Sequence, residues 1–179
     1  MALRPDLVEC WVFRVVDPGA RLEILLIRRG PDRIFPGLWQ CVTGGIDPGE
    51  LVPAAAMREV REETGLGPDD IEAFYELDQV APFYDEGPDA VVVSAIFAAR
   101  ARPDAIPRVS HEHDALRWVP GEEAPALAIW PSYVESVRRV RELLMDPALE
   151  RWFRLDGEGR RVARRPTSSV EGAAAPRVD

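Results

Sequence analysis

The chain of 179 residues is 46% hydrophobic and 30% charged, a composition that suits one globular domain with an appendage. Its net charge of −9 argues against a nucleic-acid polymer as partner, and no apolar run approaches the ~20 residues needed to cross a bilayer. All 22 basic residues are arginine, which excludes a lysine amine from any mechanism and leaves an acidic protein to meet phosphate through bound cations or placed arginines.

The first residues, MALRPDLVEC, lack a basic start followed by a long apolar stretch, so no signal peptide is expected and the cytoplasm is the expected location. Residues 7–16 are β-branched and aromatic and predict a strand. A Pro-Gly turn at 17–20 leads to a second strand at 22–29, its hairpin partner. A loop at 30–37, a third strand at 38–44 and a tight loop at 45–49 follow. A helix is expected from Glu50 to about Thr64, with Pro53 tolerated near its start and Gly65 as its stop. Ala56, Met57, Val60 and Thr64 share the face that would pack on a sheet.

Strands at 71–80 and 90–99 flank a loop or hairpin tip at 81–89, and a short strand covers 115–119. A short helix at 122–129 precedes an amphipathic helix at 131–146, which turns Val134, Val137, Val140 and Leu144 inward, with Tyr133 and Leu143. Cys10 and Cys41 belong to no C-x-x-C pair and read as buried free thiols. The expected division is a domain over 1–146 and a C-terminal extension over 147–179. Residues 148–156 of the extension dock through Trp152 and Phe153, and it is largely mobile after about 157, where the composition turns to Arg, Pro and Ala. Strands before and after a central helix, with a second helix late, predict a mixed α/β sandwich.

The central helix carries a charge problem. On a helical wheel Glu59 and Glu63 lie one turn apart, and Glu62 sits roughly 60° to the other side of Glu59, so the three share one broad face. Such a face can be solvated, with Arg58 and Arg61 as partners, since like charges one turn apart cost only ~0.2–0.5 kcal/mol on an exposed helix. It can also hold a divalent cation, because clustered carboxylates are the hard oxygen ligands that Mg²⁺ or Mn²⁺ prefers.

The surrounding spacing favours the cation. Gly44 is followed by five residues, Glu50, seven residues, and then Arg58, Glu59, Val60, Glu62, Glu63, Gly65 and Leu66 in the order R-E-U-x-E-E-x-G-U, where U is aliphatic. This pattern resembles the complete box of the Nudix hydrolases. The resemblance covers about residues 7 to 146 and implies an α/β/α sandwich around a mixed β-sheet. It also implies hydrolysis of a phosphoanhydride bond with Mg²⁺ or Mn²⁺. Carried onto matching positions, it makes Glu59, Glu62 and Glu63 metal ligands. Glu50 and Arg58 become braces of loop and helix, Gly44 the residue of a tight turn, and Gly65 the helix stop.

A second match is narrower. The W-Q-x-V-T-G run starting at Trp39, and Glu112-His113 ahead of Trp118, resemble dihydroneopterin triphosphate diphosphatases. That resemblance adds Glu112 to the metal ligands and gives a catalytic set of Glu63, Glu62, Arg58 and Glu112. His111 and His113 orient Glu112, touch phosphate, or are surface histidines. The long 30–37 loop and the extension depart from that subgroup, and a W-Q ahead of the box also occurs in dinucleoside polyphosphate hydrolases. Arg28, Arg29 and Arg33 are either phosphate contacts or solubilising surface groups. Trp39, Phe83, Tyr84 and Trp130 either stack on a planar ring or belong to the core.

The expected function is metal-dependent hydrolysis of a nucleoside or pterin triphosphate, releasing pyrophosphate or phosphate. Its rivals are a dinucleoside polyphosphate or nucleoside diphosphate sugar hydrolase and, from another class, a non-catalytic nucleotide-binding regulator. The expected partner is a small nucleotide or pterin polyphosphate, with no membrane, no nucleic-acid polymer, and a homodimer left open.

Overall fold

The computed structural model describes residues 3–16 and 21–163. The expected turn at 17–20 and the last part of the extension, 164–179, lie outside the described residues. Strand β1 (Leu7–Val16) is the centre of a mixed sheet. Along one edge it runs parallel to β6 (Ala90–Ala101). Its other edge is divided: residues 7–10 pair with β4 (Val42–Gly45) and residues 13–16 with β2 (Arg21–Arg29), both antiparallel. The sheet therefore forks beside Trp11 and Val12. Strand β2 continues away from the fork with β3 (Trp39–Gln40) on one side and β7 (His113–Pro120) on the other. Beyond β6 lies β5 (Ile71–Asp85), and then β8 (Arg154–Leu155).

Side chains alternate across this sheet and feed two cores. Val8, Cys10 and Val12 point to one face, where α1 (Val52–Thr64) packs Ala55, Ala56 and Val60. Trp11 and Phe13 point to the other, against Tyr133 and Val137 of α3 (Pro131–Arg139), which follows the short helix α2 (Ala124–Leu127). The result is the α/β/α sandwich. Both cysteines are buried free thiols, and no helix among the described residues is long and apolar enough to cross a membrane.

Four expectations are corrected. The third strand is two strands broken at Cys41, because the chain changes partner there, from β2 to β1. The segment at 81–89 is not all loop: ladder pairs Phe83–Val92 and Tyr84–Val91 carry the β5–β6 ribbon to its end, and the tip is only 86–89. Helix α1 begins at Val52 rather than Glu50, because the Glu50 amide closes a turn onto Asp47 O at 3.0 Å. The last helix ends as a π turn at Val140–Leu144; Tyr133, Val137, Val140 and Leu144 are buried as expected, but Val134 faces solvent.

The chain after Asp146 returns to the sheet. Helix α4 (Pro147–Glu150) is capped by the Asp146 carboxylate, and the Tyr75 hydroxyl donates to Glu150 at 2.6 Å. Phe153 packs against the core, Trp152 stays half exposed, and Leu155 is buried opposite Phe74. Residues 158–163 still make contacts: Gly159 lies against Pro53, and Arg161 pairs with Glu76. Strand β8 thus closes the sheet edge that β5 would otherwise leave open. Leu155→Ala is expected to destabilise the protein by about 2–3 kcal/mol in urea unfolding, the lower part of the range for a buried leucine. A loss below about 0.5 kcal/mol would show that the extension lies on the domain without supporting it.

Candidate active site

The site begins as a strand, loop and helix folded onto each other. Helix α1 stops where Gly65 enters the left-handed region at φ 71° and donates its amide to Arg61 O, so the three glutamates fall in the last two turns. Arg58, one turn before Glu62, binds the loop in front. Its guanidinium forks onto Glu50, Nε to Oε1 at 2.9 Å and Nη2 to Oε2 at 3.0 Å, and Nη2 also donates to Gly45 O at 2.8 Å. Its Nη1 donates to Glu59 at 2.6 Å and to Glu62 at 3.3 Å. One cation therefore carries three carboxylates and a β4 carbonyl, and it holds the Glu50 carboxyl below the usual range.

Glu59 lies flush against β4. A Cβ built on Gly44 would sit 2.0 Å from the Glu59 carboxyl carbon, so only glycine leaves room for this side chain. Glu63 is buried to 6% exposure and accepts a hydrogen bond from the Thr43 amide at 3.1 Å. Burial, with the charges of Glu59 and Glu112 nearby, pushes its carboxyl up to about 8. Burial also raises that of Glu59, against the pull of Arg58, and the charges of Glu62 and Glu112 add to the rise. Glu62 has the most open side chain of the three.

The loop before β7 faces this helix. Glu112 pairs with Arg33 at 3.0 Å, and its charge reaches both Glu59 and Glu63. His113 is buried, with Nδ1 3.1 Å from the Ser110 hydroxyl and Nε2 3.9 Å from Glu63. Burial holds its imidazole below the ordinary range. His111 is exposed, 3.8 Å from Glu112. Arg29 anchors the 30–37 loop through Ile34 O at 2.6 Å and reaches Gln40 at 3.2 Å, and Gln40 continues to the Thr43 hydroxyl.

The expected site residues thus fall into two groups. Gly44, Glu50, Arg58, Glu59, Glu62, Glu63, Gly65, Arg29, Arg33 and Glu112 belong to one connected region. Arg28 instead pairs with Asp114 at 2.7 Å. Trp39 carries Arg117 at 4.3 Å and Arg28 at 5.6 Å on its ring. Phe83 and Tyr84 lie on the two-stranded end of the β5–β6 ribbon, where the Tyr84 hydroxyl donates to Asp89. Trp130 meets Phe35 edge to face at 5.7 Å beside an open groove.

Whether these residues suit a divalent cation can be judged from their chemistry. Among the described residues no three His, Cys, Asp or Glu groups converge to hold a metal, since Arg58 draws Glu59 and Glu62 while Thr43 draws Glu63. The donor set nevertheless fits. It is all hard oxygen, its buried members are raised by burial with their neighbours' charges adding to the rise, and the Gly44 cradle keeps backbone close to Glu59.

Two buried acids escaped the sequence reading, Glu23, which Arg14 and Arg21 pair, and Glu9. Glu9 stands in the middle of β1, 6% exposed, within an otherwise apolar run. Burial pushes its carboxyl up to about 7, and Ser94 is its side-chain hydrogen-bond partner. Its position in an inward strand was the available signal.

A family model described as NUDIX domain matches residues 8–140. The chain is 35% identical over 121 residues, 68% of its length, to an octanoyltransferase of Myxococcus xanthus, of which the match covers 33%. It is 50% identical over 44 residues, 25% of its length, to the dihydroneopterin triphosphate diphosphatase of Escherichia coli strain K12, covering 27% of that protein. The matches thus span a third or less of these curated relatives. A crystal structure of a Caenorhabditis elegans Ap4A hydrolase binary complex superposes with a TM-score of 0.66 at 20% identity, covering 79% of this chain and 98% of that one. The likeness to that structure is one of fold.

The raised Glu9 carboxyl makes stability depend on pH. Its folded value of about 7 lies above the ordinary 4.5, so its contribution is intact below about pH 4.5 and is lost as pH rises through 7. Urea unfolding at pH 5 and pH 8 is expected to show Glu9→Gln removing up to about 3 kcal/mol of the wild-type loss. Parallel pH profiles for both proteins would contradict this burial.

Proposed function

The chain belongs to the NUDIX domain family, and on that premise we propose that it hydrolyses a phosphoanhydride bond in a nucleoside or pterin triphosphate with the help of Mg²⁺ or Mn²⁺. The observation that carries this reading is the end of α1, where three carboxylates, two of them raised, share a corner with a glycine-lined strand. Glu59 and Glu63 would hold the cation, with Glu62 and Glu112 completing its surroundings. When bound, such an ion neutralises charge developing on the phosphate oxygens and lowers the pKa of a water.

This chain's own residues do the rest. Arg58 and Glu50 fix the loop before α1, so that Gly44 and Gly45 present backbone to the polyphosphate. Arg29 at the end of β2 and Arg33 in the loop after it supply positive charge, Arg33 by exchanging Glu112 for phosphate. Water attacks phosphorus, the new P–O bond forms as the bridging P–O bond breaks, and the leaving phosphate or pyrophosphate departs as an oxyanion. The water's proton goes to Glu62 or Glu112, whose side chains are the solvent-facing acids of the set. His113 lies against Glu63 and Ser110, and in this reading it positions the loop that carries Glu112.

A regulator on the same fold that binds nucleotide without cleaving it draws on one observation: Arg58 already engages Glu59 and Glu62. Product release separates the two readings. A screen of nucleoside and pterin triphosphates, dinucleoside polyphosphates and nucleotide sugars is expected to give phosphate or pyrophosphate release with a triphosphate. Activity should disappear with a chelator and return with Mg²⁺ or Mn²⁺. Tight binding with no product under every metal condition would support the regulator.

Within the hydrolase, Glu63→Gln is expected to lower turnover by about 100-fold or more while the protein stays folded by circular dichroism. Gly44→Ala should produce a loss of similar order, because the added methyl displaces the Glu59 carboxylate and leaves the core untouched. Wild-type turnover in either variant would remove the α1 corner from the mechanism.

A further inference from the structure

Glu9 has no part in the box, yet the fold buries its carboxyl. Trp11 and Phe13 define the face it shares, the α3 side of the sheet at the fork between β2 and β4. Ser94, itself buried, is its hydrogen-bond partner, and its Oε2 atom is buried with no partner among the described residues. Its charge is felt by the Cys41 thiol and the Tyr133 hydroxyl, which bond each other. No arginine reaches it in the described contacts. A buried carboxylate oxygen without a donor is rare in a finished fold, and each instance asks for an explanation.

Its place supplies one. Across the β1–β4 ladder Glu9 pairs with Thr43, whose amide holds Glu63. It is therefore one strand step from the acids that would hold the cation. On its other side, Tyr133 sits one turn inside Trp130, the aromatic that with Phe35 borders a groove of about 360 Å³. A buried acceptor thus stands one strand pair from the phosphate-directed groups, on the face that also carries Tyr133.

We propose that Glu9 is a specificity-determining residue, accepting hydrogen bonds from a ring that carries two adjacent N–H donors, the 2-amino-4-oxo edge common to guanine and pterin. The proposal rests on the triphosphate hydrolase reading above and narrows its substrate class. A carboxylate takes two parallel N–H bonds from such an edge, as it does from a guanidinium. Adenine and cytosine set an acceptor beside their amino group and would turn a lone pair toward the carboxylate. Uracil offers one N–H between two carbonyls. A ring lacking the 2-amino group leaves the buried oxygen unmatched, the circumstance in which discrimination is largest.

The test compares GTP with ITP, which differ only in the 2-amino group, in wild type, Glu9→Gln and Glu9→Ala. Wild type is expected to prefer GTP in kcat/KM by about 100-fold or more. Both variants should bring the ratio to within about threefold, mainly by raising KM for GTP while kcat on ITP is retained. A wild type without preference, or a preference that survives in a variant folded by circular dichroism, overturns the proposal. Should wild type hydrolyse neither, the hydrolase reading is decided by the wider screen above, in which product from no substrate counts against it. Calorimetric Kd values for GTP and ITP then decide, a lack of difference or an unchanged difference in Glu9→Gln counting against Glu9.

Discussion

The guanidinium of Arg58 is the fixed point on which the α1 corner depends. It is one cation among carboxylates that would otherwise face each other across a short gap. Its fork on Glu50 ties the helix to the loop before it, and its bond to Gly45 O ties that loop to β4. Because the loop is pinned, Gly44 can lie directly beneath Glu59. The remaining acids are left with unequal surroundings: Glu63 buried and raised, Glu59 partly compensated, Glu62 open. A corner arranged this way has more negative charge than one arginine neutralises, and a divalent ion on hard oxygens is the simplest complement.

The sheet sets a second group of buried polar side chains beside this corner. Strand β1 parts from β4 and β2 on the same edge, and the divergence brings together residues from distant stretches: Glu9, Gln40, Cys41 and, from α3, Tyr133. The 30–37 loop leans over the acids, fastened by Arg29 to Ile34 O and by Arg33 to Glu112. The second pairing couples the loop to the charge state of the site. The extension serves a different purpose, closing the far sheet edge with β8.

The α1 corner was legible in the sequence because its spacing is local. Twenty-three consecutive positions fix a turn, a helix and a stop, and side-chain periodicity then sets which residues share a face. The sandwich was legible in the order of elements, strands before and after a central helix with a second helix late, and the inward faces of α1 and α3 in their helical periods. What sequence missed was non-local. The break at Cys41 arises because two different strands compete for one short segment. The full length of the β5–β6 ribbon depends on cross-strand pairs such as Phe83–Val92, which outweighed a loop-like composition. Val134 has the right period but falls outside the contact with the sheet. Glu9 was passed over because apolar neighbours made β1 easy to read as core alone. Arg28 and Arg29 are adjacent in sequence, yet strand alternation sends one to Asp114 and the other toward Gln40.

Anomalous diffraction from crystals grown with Mn²⁺ tests the central claim most directly. The expected result is a metal peak bonded to carboxylate oxygens of Glu59 and Glu63 beside Gly44, with Arg58 still forked onto Glu50 but released from Glu59. A map with no peak at the α1 corner under saturating Mn²⁺, and Arg58 still holding Glu59 and Glu62, would contradict a cation-dependent hydrolase.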